Sequence, residues 1–482
     1  MKLSFSVLVV VRILEGLLLR TAFNPDEHWQ ANEVAHHLVF GDSVKPRALL
    51  TWEWLPGSEL RGWAHPGIFA LLYKILAIVG LDSRWMVAWG PRILQSIFAA
   101  VGDLGVLRLG GLTALKLQLV NWFIAFCLPR TYSNSLETVL FTWSLVYYLK
   151  QQDAKKCFLI AAATLLMRPT AAVLYIPVGT HYLFVRRGSL LGVIPGALVY
   201  LVLTMSIDYI GYDHCVFVPW NFVRINSLLG VSSFYGTHPI WWYWITAWPL
   251  MLWSHLGVML AALSNNKVRS NNGLILTIIA WATCVYSLNS HKEFRFVLPL
   301  MPLTFVVMAD WMNLKPSNTG VLLERFGRKT SSLKFLFITN IIPFVIFGMI
   351  HQAGPDSAVS TLVARNPKSI LFLMGCHQTQ FAAHFHNMGV ESLRQLDCSP
   401  TRPKPSEVDR FYFDPVGFTK SEILTSNVKY PSHIVAYDDG ARTWNALWPF
   451  LKSKGYAIVS EHPHQIFGDE RSMIVLQYEG HK

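Results

Sequence analysis

Ten apolar runs divide the chain between residues 65 and 350, at 65–81, 92–109, 112–128, 135–149, 157–185, 189–207, 240–262, 273–289, 296–312 and 335–350. Crossing a bilayer core as a helix takes about 20 residues, so the shorter runs must tilt or pair as broken helices. The run at 157–185 is too long for one simple span. Its interruption at Arg168-Pro169 predicts two short helices or a re-entrant hairpin. Charged residues make up only 15% of the chain, against about 25% in soluble domains. Runs and deficit together specify a polytopic α-helical membrane protein of about nine to twelve membrane segments.

The formal net charge of +12 does not point to nucleic acid. Its basic residues sit in short clusters between apolar runs, the distribution that positive-inside topology produces, and form no binding stripe. Arg186-Arg187, Lys267 with Arg269, and Lys315 to Lys334 (with Arg325, Arg328 and Lys329) are therefore expected in the cytosol. Parity then sends 208–239, 290–295 and everything after 351 to the far face. A run at 3–19 carries Arg12 and Glu15 and is followed by no small-x-small cleavage site. It is expected to be an uncleaved first helix with both charges turned towards other helices. With a cytosolic N-terminus, loop 21–64 joins the far face. One conflict remains: counting every run from 65 to 149 as a crossing sends Lys150, Lys155 and Lys156 to the wrong side. One of those runs is not a full span.

The far-face segments hold most of the ionisable residues. In Phe23-Asn24-Pro25-Asp26-Glu27-His28-Trp29-Gln30 two adjacent carboxylates follow the first run. Pro-Asp-Glu also suits a plain helix start, since acids favour the positive end of the helix dipole. At a membrane surface, ahead of a loop rich in Trp and His, ionisable groups are functional candidates. That loop, 21–64, includes Trp52-Glu53-Trp54 and predicts short helices lying in the interface. His291-Lys292-Glu293-Phe294-Arg295-Phe296 packs four ionisable side chains between two spans. Snorkelling anchors need no Glu and His among the cations, so an anion site is favoured, with Lys292 and Arg295 as charged donors to a phosphate. Arg130, Asn134 and Glu137 form a second polar knot, in which Arg130 and Glu137 are placed to pair. Asp103 and Arg168 are charges inside spans and must either contact each other or serve a substrate. Tyr235 and His238, beside Trp241-Trp242-Tyr243, offer stacking faces that suit either sugar rings or the membrane interface.

Residues 352–482 are a different material, with Pro, His and acids throughout. Residues 370–373, 433–437, 457–459 and 473–476 read as strands and 441–454 as a helix. A small α/β domain outside the membrane is expected, giving a division into 1–351 and 352–482. Cys127, Cys157, Cys215 and Cys284 lie in or near apolar segments and read as buried small hydrophobes. Cys376 and Cys398 would form a disulfide if the tail faces an oxidising lumen. No P-loop, strand-borne GxGxxG, HExxH or GxSxG occurs.

Taken in order, residues 23–30, Leu50-Thr51-Trp52-Glu53-Trp54, Arg130-Thr131 with Asn134 and Glu137-Thr138, Arg168-Pro169-Thr170-Ala171, Phe234-Tyr235-Gly236 with His238-Pro239, and 291–296 resemble one family. It is the membrane mannosyltransferases that use dolichyl-phosphate-mannose, in the branch whose hallmark is His-Lys-Glu-x-Arg-Phe. The likeness runs from about residue 20 to 350 and reaches more weakly to Cys376-His377 and Cys398. The resemblance implies a GT-C fold, a lumenal active site in the endoplasmic reticulum, and α1,2-mannosyl transfer with inversion. Within the branch it points to the members that add the third mannose to the glycosylphosphatidylinositol (GPI) precursor. Dolichyl-phosphate-mannose, the GPI precursor and the bilayer are then the expected partners.

Inversion in one displacement needs a base for the acceptor hydroxyl and no covalent carboxylate. Asp26 is the expected base, with Glu27 orienting it or holding the acceptor. The leaving phosphate needs positive charge, for which Lys292, Arg295, His291 and Arg130 are the candidates. The resemblance places His28, Gln30, Trp52, Glu53, Trp54, Asn134, Glu137, Arg168, Tyr235, His238 and Glu293 against substrate. No metal is required by this chemistry, although two acids can bind one. The alternatives are a mannosyltransferase of the lipid-linked N-glycan precursor, the fourth-mannose GPI enzyme, and a secondary transporter. The last predicts repeated helix sets, which the sequence does not show.

Overall fold

The computed structural model describes residues 4–41, 43–314, 322–401, 404–425, 430–440 and 442–480. Lys315, counted above among the cytosolic residues, lies outside them. Among the described residues five helices are long and apolar enough to cross a membrane: Arg84–Leu119, Ile194–Tyr212, Tyr243–Ser264, Phe294–Asn313 and Leu333–Ile350. Other apolar runs are divided into shorter helices. The 157–185 run breaks at Arg168 into Ala154–Met167 and a helix opened by Pro169, because Arg168 is extended before the proline. Ile210 on Ile194–Tyr212 and Ile342 on Leu333–Val345 stay exposed, as lipid-facing side chains should.

Arg84–Leu119 turns at Gly111, whose φ of 77° favours a residue without Cβ. Past that turn the chain folds back, so that Gln118 donates to Asp103 over 2.8 Å. Asp103 also accepts from Arg12 of the first helix at 2.8 and 2.6 Å, and Arg12 reaches Glu15 at 2.7 Å. Arg12 does face another helix. The expected contact between Asp103 and Arg168 is not made, because each charge finds a nearer partner. Asp103→Ala leaves a fully buried guanidinium short of a carboxylate, a loss of about 3–5 kcal/mol. Thermal unfolding in detergent should show it, and an added Arg12→Leu should recover most of the loss.

The run at 65–81 falls short of a full span. It forms the helix Ala64–Ile78, only 15 residues long. Tyr73 of this helix packs against His36 and Phe40 of the first loop, and Asp82 after it lies 3.6 Å from His386 in the tail. Leaving this short helix out of the count of crossings puts Lys150, Lys155 and Lys156 on the same side as Arg186 and Arg187.

The chain divides into two compact units, one of Met1–Gly16, Pro56–His65 and Arg92–Phe344, the other of Leu17–Leu55, Pro66–Pro91 and Val345–Lys482. This differs from the division expected at residue 351, because the first loop packs into the tail. The tail's sheet has five strands, β1 Ser369–Leu373, β2 Ser392–Gln395, β3 His433–Asp438, β4 Tyr456–Pro463 and β5 Ser472–Tyr478, in the order β2-β1-β3-β5-β4. β1 runs parallel to β2 and β3, while β5 is antiparallel to β3 and β4. Strand side chains alternate between two cores. Leu371, Leu373, Ile434, Ala436, Ile474 and Leu476 meet Trp444, Leu447 and Leu451 on one face. Ile370, Phe372, Val435 and Val475 meet Leu362, Phe385 and Trp29 on the other. Trp29 comes from the first loop, so that core is built from two distant parts of the chain.

Candidate functional site

The candidate residues fall into two sets, one in each unit. In the larger unit the turn at 289–296 opens with the Asn289 carboxamide accepting from the His291 N–H at 3.2 Å. Glu293 is extended and sends its carboxylate back to its own neighbours. Arg295 grips it with two donors, Nε to Oε2 at 2.6 Å and NH2 to Oε1 at 2.9 Å, and His291 Nε2 lies 3.0 Å from Oε1. Bidentate pairing of this kind fixes a guanidinium in direction as well as position. The Glu293 side chain, expected above as a substrate contact, is held by His291 and Arg295.

Arg295 lies over the rings of Tyr132 and Phe296, 5.5 Å from each, and reaches Asn134 Oδ1 at 3.4 Å. Arg168 lies over the same Phe296 ring at 5.2 Å, with its Nε 3.2 Å from Glu137 Oε2. Asn134 donates to that same oxygen at 3.2 Å. One phenyl ring therefore carries two guanidiniums, one backed by the buried Glu137 and the other by the half-buried Glu293. Glu137 pairs with Arg168 and not with Arg130, whose Nε instead donates to the Phe126 carbonyl at 3.1 Å. Glu137 Oε1 is buried and has no hydrogen-bond partner among the described residues, which leaves an acceptor for a hydroxyl.

The motif around Tyr235 is laced to the same turn. Lys292 Nζ donates to the carbonyls of His238, at 2.9 Å, and Asn289. The His238 N–H donates to the Ser290 carbonyl at 2.9 Å, and the Tyr243 hydroxyl donates to the Glu293 carbonyl at 3.2 Å. His238 stacks on Trp242 with centroids 4.5 Å apart. Motifs separated by more than a hundred residues are thus brought to one cluster: Asn134, Glu137, Arg168, His238 and 291–296. Burial lowers the affinity of His291 for a proton, but the hydrogen bond and charge of Glu293 outweigh it and its pKa rises above the usual value. Burial raises the Glu293 carboxyl, yet Arg295 and His291 together hold it well below the carboxylate range.

In the other unit, residues 26–40 run as one helix with a wide π-helical turn at His28–Asn32. Such turns recur at functional sites. Asp26 and Glu27 are its first turn, and the Asp26 N–H is taken by Asn24 Oδ1 at 3.0 Å. The pair does open a helix, as the helix-start reading expected. Asp26 stays half-buried, whereas Glu27 is 1% exposed. Gln30 donates to Glu53 Oε2 at 3.1 Å, joining the helix to the turn Trp52–Trp54. Trp52 and Trp54 are buried, which corrects the expectation of interfacial helices with rings at the headgroups. His28 lies 3.3 Å from Asn32 Nδ2 and meets the ring of His384 edge-on.

Sequence reasoning passed over Trp29 and His36 as core residues, and Glu33, His384 and His386 altogether. The available signal was the spacing of Trp29, Glu33, His36 and Phe40, which marks one face of a helix. Cys376 and Cys398 are joined in a disulfide with Cα atoms 5.9 Å apart. They lie close to His377 in a ligand-like group, but two bonded sulfurs offer no thiolate to a metal. Of the four other cysteines Cys127 and Cys157 are buried, while Cys215 and Cys284 are exposed, against expectation.

Residues 3–386 match the Alg9-like mannosyltransferase family. The chain is 35% identical over 474 residues to "Mannosyltransferase APTG1" of Arabidopsis thaliana, covering 90% of this chain and 84% of that one. It is 32% identical over 494 residues to "GPI alpha-1,2-mannosyltransferase 3" of Danio rerio, covering 96% and 87%. It is also 32% identical over 461 residues to the protein of the same name in Homo sapiens, covering 89% and 78%. Among solved structures, ArnT from Cupriavidus metallidurans in the apo state superposes with a TM-score of 0.57 over 98% of this chain and 96% of that one, at 12% identity. The same protein bound to undecaprenyl phosphate gives 0.56 with the same coverage and identity. The fold is the GT-C fold.

Proposed function

Because the chain belongs to the Alg9-like mannosyltransferase family, we propose that it adds the third mannose, in α1,2 linkage, to the GPI precursor, taking the sugar from dolichyl-phosphate-mannose at the lumenal face of the endoplasmic reticulum membrane. The chain is a membrane mannosyltransferase, and relatives of matching length carry the name GPI alpha-1,2-mannosyltransferase 3. The observation that carries the reading is the Phe296 ring with Arg168 and Arg295 on it, and Lys292 in the same turn. Arg168 and Arg295 each hold one carboxylate and Lys292 holds only carbonyls, so the cluster keeps a net positive charge that suits an anion, and a lipid phosphate supplies one. ArnT, of the same fold, was captured with undecaprenyl phosphate, the class of leaving group the reaction requires.

In the proposed step the Asp26 carboxylate takes the proton from the acceptor's 2-hydroxyl. The hydroxyl oxygen then attacks C1 of the β-linked mannose. The bond from C1 to the phosphate oxygen breaks, its electron pair leaves with dolichyl phosphate, and the product is α-linked. Charge develops on the phosphate, where fixed guanidiniums stabilise it most in a site that excludes water. These cations supply the positive charge by themselves, so chelation of divalent metal from the purified enzyme should leave turnover within about twofold, too small a change for a lost metal. A complete loss restored by one metal would assign the acids to that ion.

His291 sets a pH window. Its positive charge is fully present below about pH 6.5 and is lost as pH rises through the raised value. The depressed Glu293 holds its charge down to strongly acid pH. Donor KM should therefore climb on the alkaline side, and His291→Gln should flatten that limb.

The test is direct. Purified protein in vesicles receives dolichyl-phosphate-mannose and a GPI precursor bearing two mannoses. A product with one more mannose, removable by an α1,2-specific mannosidase, is the expected result. Transfer only to the lipid-linked N-glycan precursor would contradict the acceptor assignment.

A further inference from the structure

The helix that begins with Asp26 and Glu27 is gripped along one face by a single loop of the tail. Trp29, Glu33, His36 and Phe40 recur at the spacing of one helix face, and each has a partner between residues 377 and 386. Trp29 Nε1 donates to the Thr379 carbonyl at 3.0 Å, and its ring packs against His377 and Phe381. Glu33 Oε1 accepts the Ala383 N–H at 3.1 Å, and the N–H groups of Phe381 and Ala382 point to the same carboxyl. His36 Nε2 lies 2.9 Å from His386 Nδ1, and Phe40 packs on the His386 ring at 4.4 Å. Trp29, Glu33 and His36 are at most 2% exposed. The loop is closed by the disulfide between Cys376 and Cys398.

Ordinary core packing accounts for Trp29 and Phe40. It does not account for Glu33, a carboxyl placed where nothing apolar would need it. Burial pushes its pKa up to about 8, against the pull of the three N–H groups. At lumenal pH it is thus largely a neutral acid whose oxygen caps the short turn Ala382–Phe385 from another segment. A contact of this kind fixes the helix in rotation and along its axis, which an apolar face alone leaves free to slide. The first turn of that same helix carries the proposed base.

We propose that Glu33 is a positioning residue for mannosyl transfer, locking the helix of Asp26 and Glu27 to the disulfide-closed loop 376–398 of the tail. This rests on the reading of Asp26 and Glu27 as the groups at the acceptor. Trp29 is its second point of attachment, and the disulfide limits how far the loop can move when either contact loosens.

The experiment compares Glu33→Ala, Glu33→Gln and Trp29→Phe with wild type and Asp26→Asn, as full-length protein in vesicles. It measures kcat, donor KM, donor binding and thermal stability. A misplacement of about 1 Å costs about a hundredfold in rate, so Glu33→Ala should lower kcat by about ten- to a hundredfold. Donor binding should stay within twofold of wild type. Glu33→Gln keeps the shape and the acceptor oxygen, and should restore most of the rate. Trp29→Phe keeps the ring in the core but loses the bond to Thr379. It should lower kcat severalfold in the same way, and it carries the test if Glu33→Ala does not fold. A folded Glu33→Ala enzyme with wild-type kcat would overturn the proposal, as would a rate that falls only with the folded fraction or one that Gln does not restore. Asp26→Asn separates the two levels. An inactive Asp26→Asn beside a fully active Glu33→Ala removes the positioning role alone, whereas an active Asp26→Asn removes the reading beneath it.

Discussion

Asp26→Asn should bind donor, remain folded, and lose turnover by about a hundred- to ten-thousandfold, the usual worth of a positioned general base. The expectation follows from how the first turn is built. Asn24 takes the Asp26 N–H, so the backbone there does not depend on the side chain being changed. Asp26 is half-buried and Glu27 almost fully buried. The more accessible acid is the one that can meet a hydroxyl of a large glycolipid, and the buried one is better suited to hold it in place. Glu27→Gln should accordingly cost less than Asp26→Asn in kcat, a comparison that single-turnover kinetics on the two variants would make.

Arg295→Ala should lower kcat/KM by about a hundred- to a thousandfold, the cost of removing one fixed donor from a developing oxyanion. The same change to Lys should not rescue it. Lysine keeps the charge but cannot span both oxygens of Glu293 or stack on Tyr132 and Phe296. Phe296→Leu is the sharper companion. It leaves every charge in place and removes the surface on which Arg168 and Arg295 both lie, so donor KM should rise while Asp26-dependent proton transfer is untouched. An Arg295→Lys enzyme with wild-type kcat/KM would mean that charge alone suffices and that the fork to Glu293 is structural.

The spans were legible because hydropathy acts over twenty residues at a time. The Arg168-Pro169 break was legible because proline restricts the residue before it. What hydropathy does not see is the other side of a helix. Residues 65–81 are as apolar as a span, yet their helix has only 15 residues and Tyr73 and Asp82 beside it contact the first loop and the tail. The partners of buried charges were illegible for the same reason. Asp103 belongs to Arg12 and Arg168 to Glu137 because of which helices are neighbours, and no spacing in the chain encodes that. Four of the five strands were visible as apolar runs. β2, Ser-Leu-Arg-Gln at the sheet edge, was not, because a half-exposed edge strand needs no apolar pattern.

The candidate site divides similarly. The residue types in 291–296 point to an anion site, and the structure adds the pairing of Glu293 with His291 and Arg295 inside the turn. The hallmark turn and the Asn134, Glu137 and Arg168 motifs converge, though they are far apart in sequence. Glu33 lay outside every motif. A lone acid inside an amphipathic helix reads as a solvated residue until its partner, here the backbone of residues 381–383, is known.

The central claim is that this mannosyltransferase acts on the GPI precursor with Asp26 as base, and glycolipid analysis of cells lacking the protein tests both halves at once. The account predicts accumulation of a GPI precursor carrying two mannoses, cleared by wild type and not by a stably expressed Asp26→Asn protein. Normal GPI lipids beside a truncated N-glycan precursor would contradict the acceptor, and clearance by Asp26→Asn would contradict the base.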